Sequence, residues 1–242
     1  MATVLERWTP AGPIRSQLPP EAIAQEEARA AASVGEPAPL GLFAFAAATF
    51  TLSAVNAGWF SATNALFAMV PLIIFGGLVQ LLAGMWAYRK GDTFAATAFG
   101  SFGGFNAAYG LYVLLKQAGL IAGSAGIAGG GGVVGVFLIC LGAIAAMLAV
   151  AALWRGMVLV GVLVALAVTY VLLGIYLIST GTLVLMHIGG YAGLISSFLA
   201  FYAGGAMVIN SVSSRAVLPL GGSLSPDSGT SAPVAMPLRV NS

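Results

Sequence analysis

Hydroxyl and amide side chains recur inside long apolar stretches of this chain, and they are the groups best placed to do chemistry. Thr49, Ser53 and Asn56 fall four and three residues apart, so they share one face of a helix. Gln80, then Thr97, Ser101 and Asn106, and finally Ser196 and Ser197 lie in other apolar runs. An unsatisfied polar group in a bilayer interior is costly, so each of these must either bond a neighbouring helix or line a water path. Spacing leaves both readings open. A second stripe, Phe94, Ala98, Phe102, Phe105 and Tyr109, is aromatic and small, and suits either helix packing or a constricted, weakly wetted channel.

Covalent catalysis has little to stand on. The apolar runs hold no carboxylate, so neither an acid pair nor a Ser-His-Asp set can be assembled within them. One histidine, His187, and one cysteine, Cys140, are too few for a metal site or a disulfide framework. The reading is a non-enzyme with no catalytic residues, no metal and no cofactor. His187 is either an interfacial structural group or a proton-linked one, since it belongs to the one residue type that ordinarily titrates near neutrality.

The elements that must position these groups are membrane helices. Hydrophobic residues make up 60% of the chain and charged residues 7%, far below the quarter or so typical of soluble domains. A bilayer core of roughly 30 Å needs about 20 apolar residues at 1.5 Å each. Six stretches meet that length: Leu40–Ala62, Leu66–Tyr88, Thr93–Leu115, Val133–Leu153, Met157–Ile178 and Leu183–Asn210. Pro71 predicts either a late start or a kink in the second. The predicted class is an all-α integral membrane protein, with a polar tail over residues 1–36, a six-helix membrane domain over 37–212 and a disordered Pro/Ser/Gly-rich tail over 213–242. Arg89, Lys90, Arg155 and Arg215 collect on one side of the spans and only Lys116 on the other, which predicts a multi-pass cell-membrane protein with both termini cytoplasmic. A net charge of +2 with scattered basic residues gives no reason to expect nucleic acid as a partner. The AGGGG run ending near Gly132 is no phosphate loop, because no Gly-Lys-Ser/Thr follows it. The 33 glycines, clustered as Gly76, Gly77 and Gly84, as Gly100, Gly103 and Gly104, and as Gly189, Gly190 and Gly193, predict close helix crossings.

Several separated elements resemble one family. Pro37-Ala-Pro-Leu-Gly-Leu42 after Glu36, Asn56-Ala-Gly-Trp-Phe60, the segment Gln80 through Phe105, and His187-Ile-Gly-Gly-Tyr-Ala-Gly193 together resemble the acetate uptake transporter family, the succinate-acetate permeases of bacteria and their ammonia-export-associated relatives in yeast. The similarity covers about Glu36 to Pro219. Glu36 stands where the family motif has Asn, and Ala87 where relatives often carry Glu. The resemblance implies a six-helix protomer around its own solute path, in the lipid bilayer, assembled as a homo-oligomer, a hexameric ring. It implies transport of acetate and related small monocarboxylates, with succinate a further candidate, and linkage to protons.

By motif, the path would narrow at Phe45, at Phe102, where many relatives have Tyr, and at a residue between Leu166 and Thr169, for which Val168 is the choice. Pro37, Leu40, Gly41, Asn56, Thr93 and Ser101 are candidate substrate-binding or selectivity positions. Ala200 matches a small residue associated with substrate size, and His187 is the proton-linked candidate. Two rivals remain at this point: a channel for small neutral amides or urea, against which the absence of a paired membrane carboxylate and the Pro-Ala-Pro-Leu-Gly-Leu element argue, and a non-transporting membrane scaffold. No Asn-Pro-Ala triplet supports an aquaporin.

Overall fold

The computed structural model describes residues 19–25, 34–61, 65–121, 130–179, 182–213 and 215–224. Most of both tails and the middle of the loop from Gln117 to Gly132 lie outside the described residues. Six rods form: α1 (Ala38–Asn56), α2, α3 (Thr93–Gln117), α4 (Gly131–Ala152), α5 (Met157–Ile178) and α6 (Leu183–Ser213). Rod α2 has three parts, an α-helix over Ala65–Pro71, a π-helix over Leu72–Val79 and an α-helix over Gln80–Lys90. Pro71 has no amide hydrogen to give the preceding turn, and the wider π pattern begins at the next residue. Stretches of this kind concentrate at functional sites. The described residues of the N-terminal tail include one helical stretch, 20–25.

Five of the rods are long and apolar enough to cross a membrane. The exception is α3, whose 25 residues provide the length. Gly, Thr, Ser and Asn residues interrupt its apolar sequence, and of these Gly103 packs against α2 while Asn106 lines an internal cavity. Large apolar side chains stand out from the other rods, among them Phe67, Met147, Val133 and Phe198. That outward surface suits lipid or another apolar protein face.

Rod α4 packs on α5, α5 on α6, α6 on α1, α1 on α2 and α2 on α3, while the circuit closes by a narrow contact between α3 and α4. Two crossings show why glycine is needed. Gly135 of α4 and Gly174 of α5 face each other so closely that a Cβ on either would lie 2.6 or 2.7 Å from the carbonyl oxygen of the other. Gly190 of α6 lies directly on the backbone of Asn56 and Ala57 at the end of α1.

Residues 215–224 depart from the expected disorder and form an ordered strap. The Asn210 carboxamide oxygen accepts the N–H groups of Val217 and Leu218 at 2.8 and 3.0 Å, its nitrogen donates to the Leu218 carbonyl at 2.9 Å, and the Tyr202 hydroxyl donates to the Pro219 carbonyl at 2.7 Å. The strap also reaches the α4–α5 turn, where the Leu224 N–H donates to the Leu153 carbonyl at 2.8 Å. Composition alone missed it because side-chain hydrogen bonds to the backbone, together with Leu220 packed on the core, hold a segment with little apolar burial of its own.

Candidate functional site

Two cavities lie end to end between α1, α3 and α5. The lower one, at the end carrying Glu36, Asp92 and Arg155, has a volume of about 150 Å³. The upper one, about 160 Å³, is lined by Thr49, Ser53, Asn56, Asn106, Thr169 and the rings of Phe105, Tyr109 and Tyr170. The change from one to the other occurs at the same level on each rod. On α1 the lower wall ends at Phe45 and the upper begins at Thr49; on α3 the step is from Phe102 to Phe105; on α5 Leu166 belongs to both walls. Phe45 and Phe102 are each 3% exposed, their ring centroids are 6.3 Å apart, and Leu166 is 1% exposed. The three side chains therefore form an apolar partition between two partly polar chambers.

Helical geometry explains the arrangement. Thr49, Ser53 and Asn56 all reach the upper cavity, so their shared face forms part of its wall. The aromatic stripe of α3 divides in the same way, with Phe94, Ala98 and Phe102 below and Phe105 and Tyr109 above. Tyr170 of α5 packs 6.0 Å from the Phe102 ring and 5.3 Å from the Phe105 ring, which brings a phenol close to the partition on a different rod. Ser196 and Ser197 follow the packing alternative: Ser196 Oγ donates to the Val162 carbonyl at 2.8 Å, tying α6 to α5, and Ser197 Oγ donates to the Gly193 carbonyl at 2.5 Å.

Val168 requires correction. It is 44% exposed on the outer side of α5, whereas Leu166 faces inward. At about 100° per residue the two cannot share a face, and Thr169 and Tyr170, three and four residues beyond Leu166, share its side. Leu40 also points outward, 48% exposed. Thr93 is exposed at the start of α3 and lines neither cavity; the neighbouring Asp92 does so. Pro37 is buried at the entry of α1. Gly41 is buried too, because the Phe99 ring occupies the space a Cβ would take, 2.5 Å away. Ser101 is half-buried and lines neither cavity, and Ala200 is fully buried behind the walls.

His187 is half-buried and lies against Gly58, where an added Cβ would be 3.1 Å from its Nε2. The two sequence elements that looked separate thus meet, His187 on Gly58, Gly190 on Ala57 and Gly193 on Ser53. They close the upper end of α1 against α6. Among the described residues no three His, Cys, Asp or Glu side chains gather as they would around a metal ion.

The polar group that the site assignments missed is Gln80. It is fully buried and lines the lower cavity, while Asn106 lines the upper one. Asn106 Nδ2 donates to the Gly76 carbonyl at 3.1 Å and to Gln80 Oε1 at 3.2 Å. Because Gln80 must offer its oxygen to that donor, its Nε2 turns elsewhere, and there it has no partner among the described residues. An unmade hydrogen bond in such a place costs about 1–3 kcal/mol. The signal was visible in the sequence as an amide in the middle of an apolar rod.

The chain matches the model of the GPR1/FUN34/yaaH family over residues 17–221. It is 34% identical to the protein named succinate-acetate/proton symporter SatP of Escherichia coli strain K12, over 78% of this chain and 96% of that protein. It is 32% identical to acetate permease A of Emericella nidulans, over 76% of this chain and 65% of that one, and 33% identical to ammonia transport outward protein 3 of Saccharomyces cerevisiae, over 69% and 60%. A solved structure of the bacterial acetate channel SatP superposes with a TM-score of 0.71 at 32% identity, covering 78% of this chain and 100% of that one.

Proposed function

The chain belongs to the GPR1/FUN34/yaaH family, and from that premise we propose that it is a membrane transporter of acetate and related small monocarboxylates, working in symport with protons through a path enclosed by each protomer. The observation that carries the reading is the pair of cavities stacked end to end and separated by Phe45, Phe102 and Leu166. A small carboxylate fits chambers of about 150 and 160 Å³. Hydroxyl and amide groups on Thr49, Ser53 and Asn56 replace part of its hydration in the upper chamber. The unpaired Gln80 amide meets it below the partition, supplying a donor where water is scarce.

The partition also explains the proton link. A carboxylic acid with a pKa near that of Glu, about 4.3, is almost wholly anionic at neutral pH. Moving that charge between apolar rings is costly, while the neutral acid, or the anion with a proton, crosses more readily. The charged end faces the cytoplasm, as the positive-inside rule requires, and the exposed apolar flanks meet lipid and neighbouring protomers in a hexameric ring.

Labelled acetate uptake into proteoliposomes tests this. Uptake is expected to rise steeply, by up to about a hundredfold, when the outside is taken from about pH 8 to about pH 6 at constant inside pH, in step with the neutral-acid fraction. Uptake no greater than in protein-free liposomes, or indifferent to the gradient, would remove the reading.

A further inference from the structure

The mouth of the lower cavity holds an ion pair that passage through the partition leaves unexplained. Arg155 sits in the turn between α4 and α5. Its Nη1 donates to Asp92 Oδ2 at 3.0 Å and its Nη2 to Asp92 Oδ1 at 2.8 Å, a two-pronged pairing. The guanidinium carbon lies 5.4 Å from the centre of the Phe94 ring. Asp92 has a second duty, since Oδ1 also accepts the Ala95 N–H at 3.0 Å and caps α3. Both side chains line the lower cavity, together with Glu36, which is held by Lys90. Among the described residues on that wall, Arg155 is the one cation.

We propose that Arg155 is the carboxylate-docking residue of the lower mouth, and that Asp92 is its resident stand-in: a substrate carboxylate takes Asp92's place on the guanidinium fork as it enters or leaves. This rests on the reading of the chain as a monocarboxylate transporter. The Asp92 side chain, a methylene bearing a carboxylate, is an acetate group tethered to the backbone. Its pairing therefore displays the geometry in which this fork holds acetate. The exchange conserves bonds, because a guanidinium receives any carboxylate in the same bidentate way. It leaves α3 capped, because the Ala95 N–H keeps its acceptor.

Displacement is feasible on energetic grounds. The Arg155 side chain is 46% exposed, so the pair is screened by water and weak. The Phe94 ring keeps the guanidinium at the mouth while Asp92 is released.

The full chain in proteoliposomes, with labelled acetate exchange measured against acetate concentration on the Arg155 side, separates a latch from a strut. Arg155→Gln is expected to raise the half-saturating concentration about threefold to fivefold with the maximal rate retained, the worth of one partly exposed charged pair. Asp92→Asn keeps an oxygen for the Ala95 N–H, removes the competing charge, and is expected to lower the half-saturating concentration. Opposite directions in the two variants support docking. Shifts in the same direction, or none, overturn it, because a merely structural pair loses equally from either side. If Arg155→Gln fails to fold, the direction of the Asp92→Asn shift decides alone. Wild-type vesicles that exchange no acetate would instead sink the transport reading beneath it.

Discussion

Leu166 and Val168, two residues apart on α5, allow a paired test of where the path narrows. Leu166 is 1% exposed and shared by the walls of both cavities, while Val168 is 44% exposed on the outer side. Leu166→Ala removes branched carbon from the partition and joins chambers of about 150 and 160 Å³. In a sealed core that truncation costs about 2–5 kcal/mol, and a site that opens onto two cavities falls toward the low end of that range. The effect on selection is more diagnostic. Each methylene that an apolar constriction accepts or rejects is worth about 1–3 kcal/mol, tenfold or more in rate. Competing uptake of acetate and butyrate into proteoliposomes measures it: the acetate preference is expected to fall at least about tenfold in Leu166→Ala, and to stay as in the wild type in Val168→Ala. Relaxed selection in the Val168 variant together with an unchanged ratio in the Leu166 variant would refute the placement of the partition.

Three further outcomes follow from the packing and the polar groups. Gln80→Leu removes the unpaired amide nitrogen but also the acceptor of one Asn106 N–H, so the two effects offset and thermal stability is expected to stay within about 1 kcal/mol while acetate flux falls; undiminished flux would show that the amide does not serve the solute. Gly190→Ala places a methyl on the α1 backbone and is expected to cost about 1–3 kcal/mol, seen as a lowered Tm in detergent, whereas Gly100→Ala, with open space around it, is expected to be silent; equal Tm values for the two would contradict the described crossing. Asn210→Ala deletes three hydrogen bonds to the strap, and hydrogen exchange at Val217 and Leu218 is expected to accelerate; unchanged protection there would mean that something else holds the strap.

Much of the fold could be read before the coordinates, because the bilayer makes one demand of every segment. Runs of the required length marked the rods to within a few residues, and Pro71 marked the irregularity in α2. The polar face of Thr49, Ser53 and Asn56 and the stripe from Phe94 to Tyr109 both fell on the cavity walls, since three- and four-residue spacing survives intact in a helix. Val168 failed for the same geometric reason. Motif similarity pointed to the turn from Leu166 to Thr169 but did not fix its rotation, which Thr169 could have done: an inward hydroxyl three residues on requires Leu166 to face inward as well. The strap over residues 215–224 and the Arg155–Asp92 pair were not visible, because each joins segments far apart in the chain through specific hydrogen bonds. Gln80 was noticed as polar, yet its importance comes from the Asn106 contact that fixes which end of the amide is left unpaired.

If small carboxylates pass between α1, α3 and α5 of a single protomer, a halogenated acid must lodge along that route. Crystals soaked in bromoacetate, with the bromine located by anomalous scattering, test it most directly. Bromine is expected in the chamber beside Asn56 and Asn106, in the one beside Gln80, or in both, on either side of Phe45, Phe102 and Leu166. Bromine found only outside the six rods, with both chambers empty, would contradict it.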